Sequence, residues 1–257
     1  LIKTIIMTKQ ASIIKLKGTI GGITFYKSQD GYLAKEKGGV EADRIANDPN
    51  FARTRENGSE FGRAGKAGKT LRSAFRTLLQ DVSDNRMVSR LTAAMITVLQ
   101  ADTTSVRGQR NVIDGEASLL EGFDFNNNAK LSTTLFAPYT STIDRVAGSL
   151  VVNVPSFIPS NMITAPGGTT HFKMVSAGAE VDFENNNFTV DAHDSGVLPW
   201  DGTATAVINL ANAVTANSTH PLFLAFGIEF YQQVNGQQYP LKNGTYNALA
   251  IVKVSTP

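Results

Sequence analysis

The sequence predicts an α+β fold: an N-terminal β-hairpin arm and a two-helix segment, followed by an antiparallel β-sandwich of the immunoglobulin-like or jelly-roll type. Apolar residues recur at helical spacing only in the first half of the chain, and the second half consists of short strand-like segments separated by turn residues. Short β-branched and aromatic segments, separated by glycines, open the chain and predict the arm. The fold class follows from these three observations.

Charge divides the chain into two predicted domains. Residues 1–125 carry 19 of the 24 lysines and arginines and 14 of the 22 acidic residues, a net charge of +5, whereas residues 126–257 have a net charge of −3. The polar run Asn126-Asn127-Asn128 is the expected boundary. A basic domain with the β arm and the helices is therefore predicted at residues 1–125, and a β-sandwich domain at residues 126–257.

The arm is predicted over residues 1–37. Strands are expected at residues 13–17 and 23–27, and Asp30-Gly31 forms a turn into a further strand that begins at Tyr32, because glycine tolerates the positive φ that such turns need. Two or three strands alone are only marginally stable in water. The arm is therefore expected to pack on the helices, on the second domain or on a neighbouring subunit.

Two helices follow the arm. The first has Ser59 as its expected N-cap, and the second has Asp84 in that position. Both present apolar or small residues at intervals of three or four, which predicts one buried face for each helix. These residues are Phe61, Gly65, Gly68, Leu71, Phe75, Leu78 and Val82 in the first helix, and Val88, Leu91, Met95 and Val98 in the second.

The second half of the chain contains eight strand candidates, two of which can merge into one strand. Glycine and asparagine turns separate them, and Asn235-Gly236 is the clearest hairpin turn. Many short strands at this spacing favour an antiparallel sandwich. The candidates are residues 131–136, 149–154, 170–175, 179–183, 188–192, 205–210, 222–231 and 247–254.

The run GRAGKAGKT, residues 62–70, ends in Gly-Lys-Thr as a phosphate-binding loop does. Such a loop requires a glycine five positions before the last one, and that position is Arg63. A buried strand must also precede it, whereas Asn57-Gly58-Ser59-Glu60 stands there. A nucleotide site is therefore excluded.

The same helix carries a row of cations. Arg63, Lys66, Lys69, Arg72 and Arg76 form a basic stripe that would neutralise the phosphates of a nucleic acid. A solvated face, or pairing with the acidic residues of a neighbouring subunit, explains the stripe equally well. Nucleic-acid binding is the alternative function.

The glycines of the run indicate close packing. Gly62, Gly65 and Gly68 recur with a period of three, and each costs about 1 kcal/mol relative to alanine inside a helix. Small residues on one face allow another backbone to approach closely. The expected compensation is contact with a strand or helix of the same subunit or of another one.

Catalytic, metal and cofactor sites are not expected. The chain has no cysteine, which excludes disulfides, thiolate zinc sites and cysteine nucleophiles, and its three histidines lack metal-ligand spacing. No apolar run approaches the roughly 18 residues of a membrane span. A second alternative, a carbohydrate-binding sandwich, would use Trp200, Tyr231 and Tyr239.

A family resemblance rests on the stretch KLKGTIGGITFY at residues 15–26, on Asp30-Gly31-Tyr32-Leu33-Ala34 and on the glycine-rich run. It extends through Gly227-Ile228-Glu229-Phe230-Tyr231 and covers most of the chain. In these motifs the chain resembles uncharacterised proteins encoded by Bacteroidota and their phages. The resemblance implies relatives and no particular chemistry.

These observations favour a non-enzymatic structural subunit that assembles with copies of itself into a filament, tube or virion-like particle. Only 18% of the residues are charged, against roughly 25% in soluble domains, which is typical of β-rich structural proteins. No export signal is recognised, and an extracellular surface assembly or a virion is the expected location. The predicted subunit interface comprises Ile14, Leu16, Ile23, Phe25, Gly62, Gly65, Gly68, Leu71 and Phe75.

Overall fold

The structure is a computed structural model that describes residues 7–36 and 38–257. The predicted α+β fold with an antiparallel β-sandwich is confirmed. Contacts divide the chain into two compact units, residues 1–55 and 56–257, which are called here the arm unit and the body. The domain boundary predicted near Asn126 lies inside the body. Residues 1–6 and 37 of the predicted arm lie outside the described residues.

The arm unit contains a four-stranded antiparallel sheet in the order β1-β4-β3-β2. The predicted turn at Asp30-Gly31 joins β3 to β4, and Gly31 has the expected positive φ of 108°. Residues 13–17, predicted as a strand, instead form a loop, because the Gln10 side chain bonds both backbone groups of Leu16. The elements are β1 (Met7–Lys9), β2 (Gly18–Ile20), β3 (Ile23–Ser28), β4 (Gly31–Glu36) and α1 (Ala42–Asn47).

Three helices carry the predicted helical segment: α2 (Ala52–Ala74), α3 (Arg76–Leu79) and α4 (Met87–Gln100). Helix α2 starts seven residues before the predicted N-cap Ser59. Upstream, Asp48 accepts a hydrogen bond from the Asn50 amide, and Pro49 begins a 3-10 turn that leads directly into α2. Proline is favoured at such a start because its missing N–H needs no partner there.

The body contains two antiparallel sheets. The large sheet has the order β12-β11-β7-β8, with β13 pairing β11 and β9 pairing β7, and the small sheet has the order β10-β6-β5. The remaining elements are β5 (Thr140–Asp144), β6 (Ser149–Val154), β7 (His171–Asp182), β8 (Asn187–Asp194), β9 (Leu198–Pro199), β10 (Ile208–Ala213), β11 (Leu222–Val234), β12 (Gln237–Pro240), β13 (Ala248–Ser255), α5 (Leu131–Thr134) and α6 (Pro159–Met162).

The structure differs from the predicted strands at two places. The candidates 170–175 and 179–183 merge into the single strand β7. The strand predicted at residues 131–136 is wrong, because residues 131–134 form α5. The Leu131 amide donates to the Asp124 carboxylate, and this bond holds the start of a helical turn that the local sequence does not indicate.

The large sheet is the middle of three layers. Val175, Ala177 and Ala179 of β7 face the helices and share a core with Leu71 and Phe75. Alternate residues of the same strand, Phe172 and Met174, face the small sheet. A side chain at Gly178 would meet Asn212 and Leu150 at 3.0 and 3.3 Å, so this glycine allows the two sheets to approach closely.

Candidate assembly surfaces

The arm sheet leaves most of its apolar side chains in contact with solvent. Among its strands only Leu33 and Ala34 are buried. Of the predicted interface residues, Ile14, Leu16 and Ile23 expose 72%, 39% and 45% of their surface. Phe25 is half-buried and lines an apolar groove of about 480 Å³ together with Ile14, Leu16 and Ala34. The arm thus presents an apolar surface that includes all four residues predicted from its sequence.

The three glycines of α2 lie in two different environments. Around Gly62 and Gly65, no described atom other than those of the adjacent residues and the helix's own backbone lies within 4 Å of the position that a side chain would occupy. Gly68 instead faces Leu91 and Met95 of α4 at 3.7 Å. Close packing within the chain therefore explains the glycine at position 68, but it does not explain Gly62 or Gly65.

Two further residues of the predicted interface belong to the molecule's own core. Leu71 and Phe75 have no exposed surface, and they pack in the cluster formed by the helices and the large sheet. Phe61, which the helical pattern placed on the buried face, is 59% exposed. The helix buries a face that is rotated from the predicted one and that contains Ala64, Ala67, Leu71 and Ala74.

Only part of the basic stripe is without hydrogen bonds or ion pairs to the described residues. Arg63 is half-buried and donates to the carbonyl oxygens of Gly108 and Arg110, both at 2.9 Å. Within the described residues, the side chains of Lys66, Lys69, Arg72 and Arg76 form no hydrogen bond or ion pair. A groove of about 370 Å³ is lined by Lys69, Arg72, Ser73, Arg76, Leu79, Gln80 and Met87, with no carboxylate among them.

One edge of the large sheet is open. Strand β8 forms a ladder with β7 and with no other strand of the described chain. Seven of its eight residues are exposed, the half-buried Asp191 being the exception. Phe188 and Val190 expose 37% and 40% of their surface. Unpaired backbone groups on such an edge can accept an added strand.

The opposite edge of the large sheet, which β12 and β13 form, is covered by the chain itself. The amides of Gly122 and Phe125 donate to the carbonyl oxygens of Ile251 and Leu249 on β13, both at 2.8 Å. Strand β12 has only four residues and ends at Pro240, which has no amide proton to donate. These features protect the edge from further pairing.

An ionic cluster around the buried Glu229 on the large sheet was not predicted. Lys173 Nζ lies 3.0 Å from Glu229 Oε2, and the Tyr231 hydroxyl donates to the same oxygen at 2.6 Å. Burial opposes the charge of Lys173, but the Glu229 carboxylate raises the lysine pKa above its usual range. Burial and the same hydrogen bond raise the pKa of Tyr231 to about 12. A lysine held charged and a tyrosine held protonated are poorly suited to act as bases or nucleophiles.

A second polar cluster joins Glu180 to Ser218 and His220. Ser218 Oγ donates to Glu180 Oε1 at 2.6 Å, and His220 Nδ1 lies 2.9 Å from the same oxygen. The serine proton is thus directed at a carboxylate and not at the imidazole, which is unlike a nucleophilic triad. Asp182 lies 3.9 Å from the other ring nitrogen. Alternation of Glu180 and Asp182 in the sequence was the available signal, but it could not indicate a histidine forty positions away.

The described residues contain no group of three or more side chains suited to a metal ion. The part of the chain that the structure covers also has no helix with the length and apolar character of a membrane span.

The rings considered for carbohydrate binding do not form one exposed platform. Trp200 is half-buried against the core between the two sheets, and Tyr231 is half-buried and bonded to Glu229. Tyr239 is 55% exposed. A stacking surface for a sugar needs several exposed rings, so this alternative receives no support from their burial.

Comparison with known proteins gives little similarity. No protein-family model and no curated protein matches the chain. One solved structure, described as "pH-induced modulation of Streptococcus parasanguinis adhesion by Fap1 fimbriae", is similar over 45% of this chain and 81% of that chain, at 11% identity and a TM-score of 0.21. A score this low carries no argument about the fold or the function.

Proposed function

We propose that the protein is a non-enzymatic structural subunit that assembles with copies of itself into a filament, tube or virion-like particle through its N-terminal arm. The observation that carries this proposal is the exposure of Ile14 and Leu16 in a loop of the arm, and of Ile20 and Ile23 in its sheet, whose strands bury only Leu33 and Ala34. Exposed apolar groups of this kind gain about 25 cal/mol for each Å² that a partner covers.

The packing of the body supports the same proposal. Its two clusters of buried residues fill both faces of the large sheet without contribution from residues 7–36. These clusters complete the core of the body, and in this proposal the exposed apolar side chains of the arm serve assembly. Such an arrangement separates folding from assembly.

Removal of residues 1–27 tests the proposal. The shortened chain should keep the circular dichroism spectrum of the β-rich body and remain monomeric by light scattering, while the full chain forms regular particles in negative-stain electron microscopy. If the shortened chain forms the same particles, the arm does not mediate assembly.

Substitutions in the full chain provide the matched control. Ile14→Asp with Leu16→Asp should prevent assembly, because each change introduces a charge into the apolar groove of the arm. Lys27→Asp with Lys35→Asp alters the charge of the same sheet outside that groove and should reduce assembly far less. Equal loss in both variants would indicate a general charge effect.

Nucleic-acid binding is a second candidate, favoured by the groove at Lys69, Arg72 and Arg76. None of the lining residues is a carboxylate, and the three cations, Lys69 and Arg72 on α2 and Arg76 on α3, carry the positive charge that neutralises phosphates. Each neutralised phosphate contributes a slope of about −0.9 to the dependence of binding on salt.

Lys66→Glu with Lys69→Glu tests this candidate against duplex and single-stranded probes. Binding should disappear in the variant and weaken steeply with salt in the unmodified chain, as measured by fluorescence anisotropy. If the unmodified chain binds neither probe at low salt, the candidate is rejected. Persistence of assembly in the variant would separate the two functions.

A further inference from the structure

We propose that the β2 edge of the arm sheet in one copy adds to the β8 edge of the large sheet in a second copy, as an antiparallel strand. This inference rests on the proposed function, in which the arm joins subunits, and it names the surface that receives the arm. The large sheet of one subunit then continues into the arm sheet of the next.

The acceptor is identified by comparing the edges of the large sheet. Residues 122–125 bond the outer side of β13, and β12 is a four-residue strand that ends in proline. Strand β8 has eight residues, and no strand of the described chain pairs with its outer side. Strand β8 is therefore the longest edge strand of this sheet that lacks a second backbone ladder, and β10 contacts it through the Ala213 amide, which donates to the Asp191 carboxylate.

The donor is one of the two edges of the arm sheet. Among the described residues, strand β2 pairs with β3 alone, through Gly18, Thr19 and Ile20. All three of its residues are exposed, and Ile20 exposes 64% of its surface. Strand β1, at the other edge, is the alternative donor within the same sheet.

Charge complementarity favours the pairing. Residues 7–20 contain Lys9, Lys15 and Lys17 and no acidic residue, whereas residues 182–194 contain four acidic residues and no lysine or arginine. An antiparallel arrangement brings Lys17, just before β2, opposite Asp194 at the end of β8. Lys173 lies 3.8 Å from Asp194 but is 3.0 Å from Glu229, so Glu229 is its main partner.

Disulfide cross-linking tests the pairing directly, because the chain contains no cysteine. With Lys17 opposite Asp194, Thr19 lies opposite Ala192. A chain with Thr19→Cys, mixed with a separately tagged Ala192→Cys chain under mild oxidation, should yield a covalent dimer carrying both tags. Thr8→Cys, on β1, is the matched control and should give little of this product with the same partner.

The outcomes distinguish this inference from the proposed function. If the unmodified chain assembles but Thr19→Cys cross-links no better than Thr8→Cys, β8 does not receive β2, although arm-mediated assembly survives. A disulfide that forms only when both cysteines are in one chain would also overturn the inference, because the arm would then pair within its own subunit. Absence of any assembly by the unmodified chain would reject both.

Charge exchange gives an independent readout. Lys17→Glu should weaken association about tenfold by light scattering, since it replaces an attractive cross-strand pair with a repulsive one. Asp194→Lys in the same chain should restore most of the loss, and Lys9→Glu on β1 should have little effect. Failure of Asp194→Lys to restore association would contradict the predicted register.

Discussion

The arm sheet and the large sheet of the body contain similar β-branched and aromatic residues but bury them very differently. Strand β11 buries nine of its thirteen residues, whereas β1 and β2 bury none. The large sheet has helices on one face and the small sheet on the other, and both faces are covered within the chain. Sheet formation and core formation are therefore separable, because the arm has its backbone ladders without a core of comparable size.

Amide hydrogen exchange should show the largest contrast between the two regions. Amides in the middle of β7 and β11 should exchange only by global unfolding of the body, whereas those of β2 and β3 should exchange by local opening. Each 1.4 kcal/mol of difference in opening free energy corresponds to about tenfold in rate. Assembly should slow exchange in the arm and leave β7 unchanged. Equal protection in the unassembled chain would remove the distinction between the regions.

A matched pair of phenylalanines sharpens the same contrast. Phe75→Ala should lower the free energy of unfolding of the body by about 4 kcal/mol, because Phe75 is fully buried between the helices and the large sheet. Phe25→Ala, in the half-buried groove of the arm, should change the unfolding of the body by less than about 0.5 kcal/mol. Urea denaturation monitored by circular dichroism measures both.

Loss of body stability in Phe25→Ala comparable to that in Phe75→Ala would mean that the arm contributes to the core of the body. Phe25→Ala should instead reduce assembly, which is measured separately by light scattering.

Local sequence pattern explains which of these features could be predicted. Strands β3 and β4 were predicted because their alternation and the Asp30-Gly31 turn are encoded within about fifteen residues. The helix at residues 131–134 was not, since its start depends on the Asp124 carboxylate, which lies seven residues upstream and outside the local apolar pattern. The buried face of α2 was predicted only approximately, because its rotation is fixed by Leu91 and Met95 of α4.

The candidate assembly surfaces also differ in whether the sequence could predict them. Apolar character in a short arm predicted Ile14, Leu16 and Ile23 as interface residues, and the structure shows that all three are exposed. The open edge at β8 could not be predicted, because it depends on the order of strands in the sheet and on the coverage of β13 by residues 122–125. Edges are properties of the whole sheet, and no local pattern encodes them.

The dependence of unfolding on acid pH should distinguish an ion pair of the body from an ion pair of the arm unit. In the body, the Arg110 guanidinium bonds Glu60 at 2.8 Å and lowers the carboxyl pKa below its ordinary value of 4.5. The folded state therefore gains stability from this group above pH 4.5, and that stability is lost as the pH falls through the lowered pKa. Arg110→Met leaves Glu60 buried without its partner, so the loss of stability toward pH 3 should become smaller or reverse, by about 1.4 kcal/mol for each unit of pKa difference.

The control for this titration lies in the arm unit. Arg44 pairs with Asp48 on an exposed turn of α1, and Arg44→Met should leave the acid dependence of body unfolding unchanged. Urea midpoints at pH 7 and pH 3 give the comparison. The same slope in Arg110→Met and in the unmodified chain would show that Glu60 does not contribute to acid sensitivity.

The smallest expected effect concerns the glycines of α2 and decides whether they serve folding or assembly. Because no described atom occupies the space beside Gly62 and Gly65, alanine fits at both positions and should raise body stability by up to about 1 kcal/mol each through helix propensity. If a neighbouring subunit approaches this face closely, the same two substitutions should weaken assembly while they stabilise the monomer. Thr97→Ala on the exposed side of α4 adds helix propensity elsewhere and should leave assembly unchanged. Stabilisation without any change in assembly would show that the open glycines are not part of the contact between subunits, which would then rest on the arm alone.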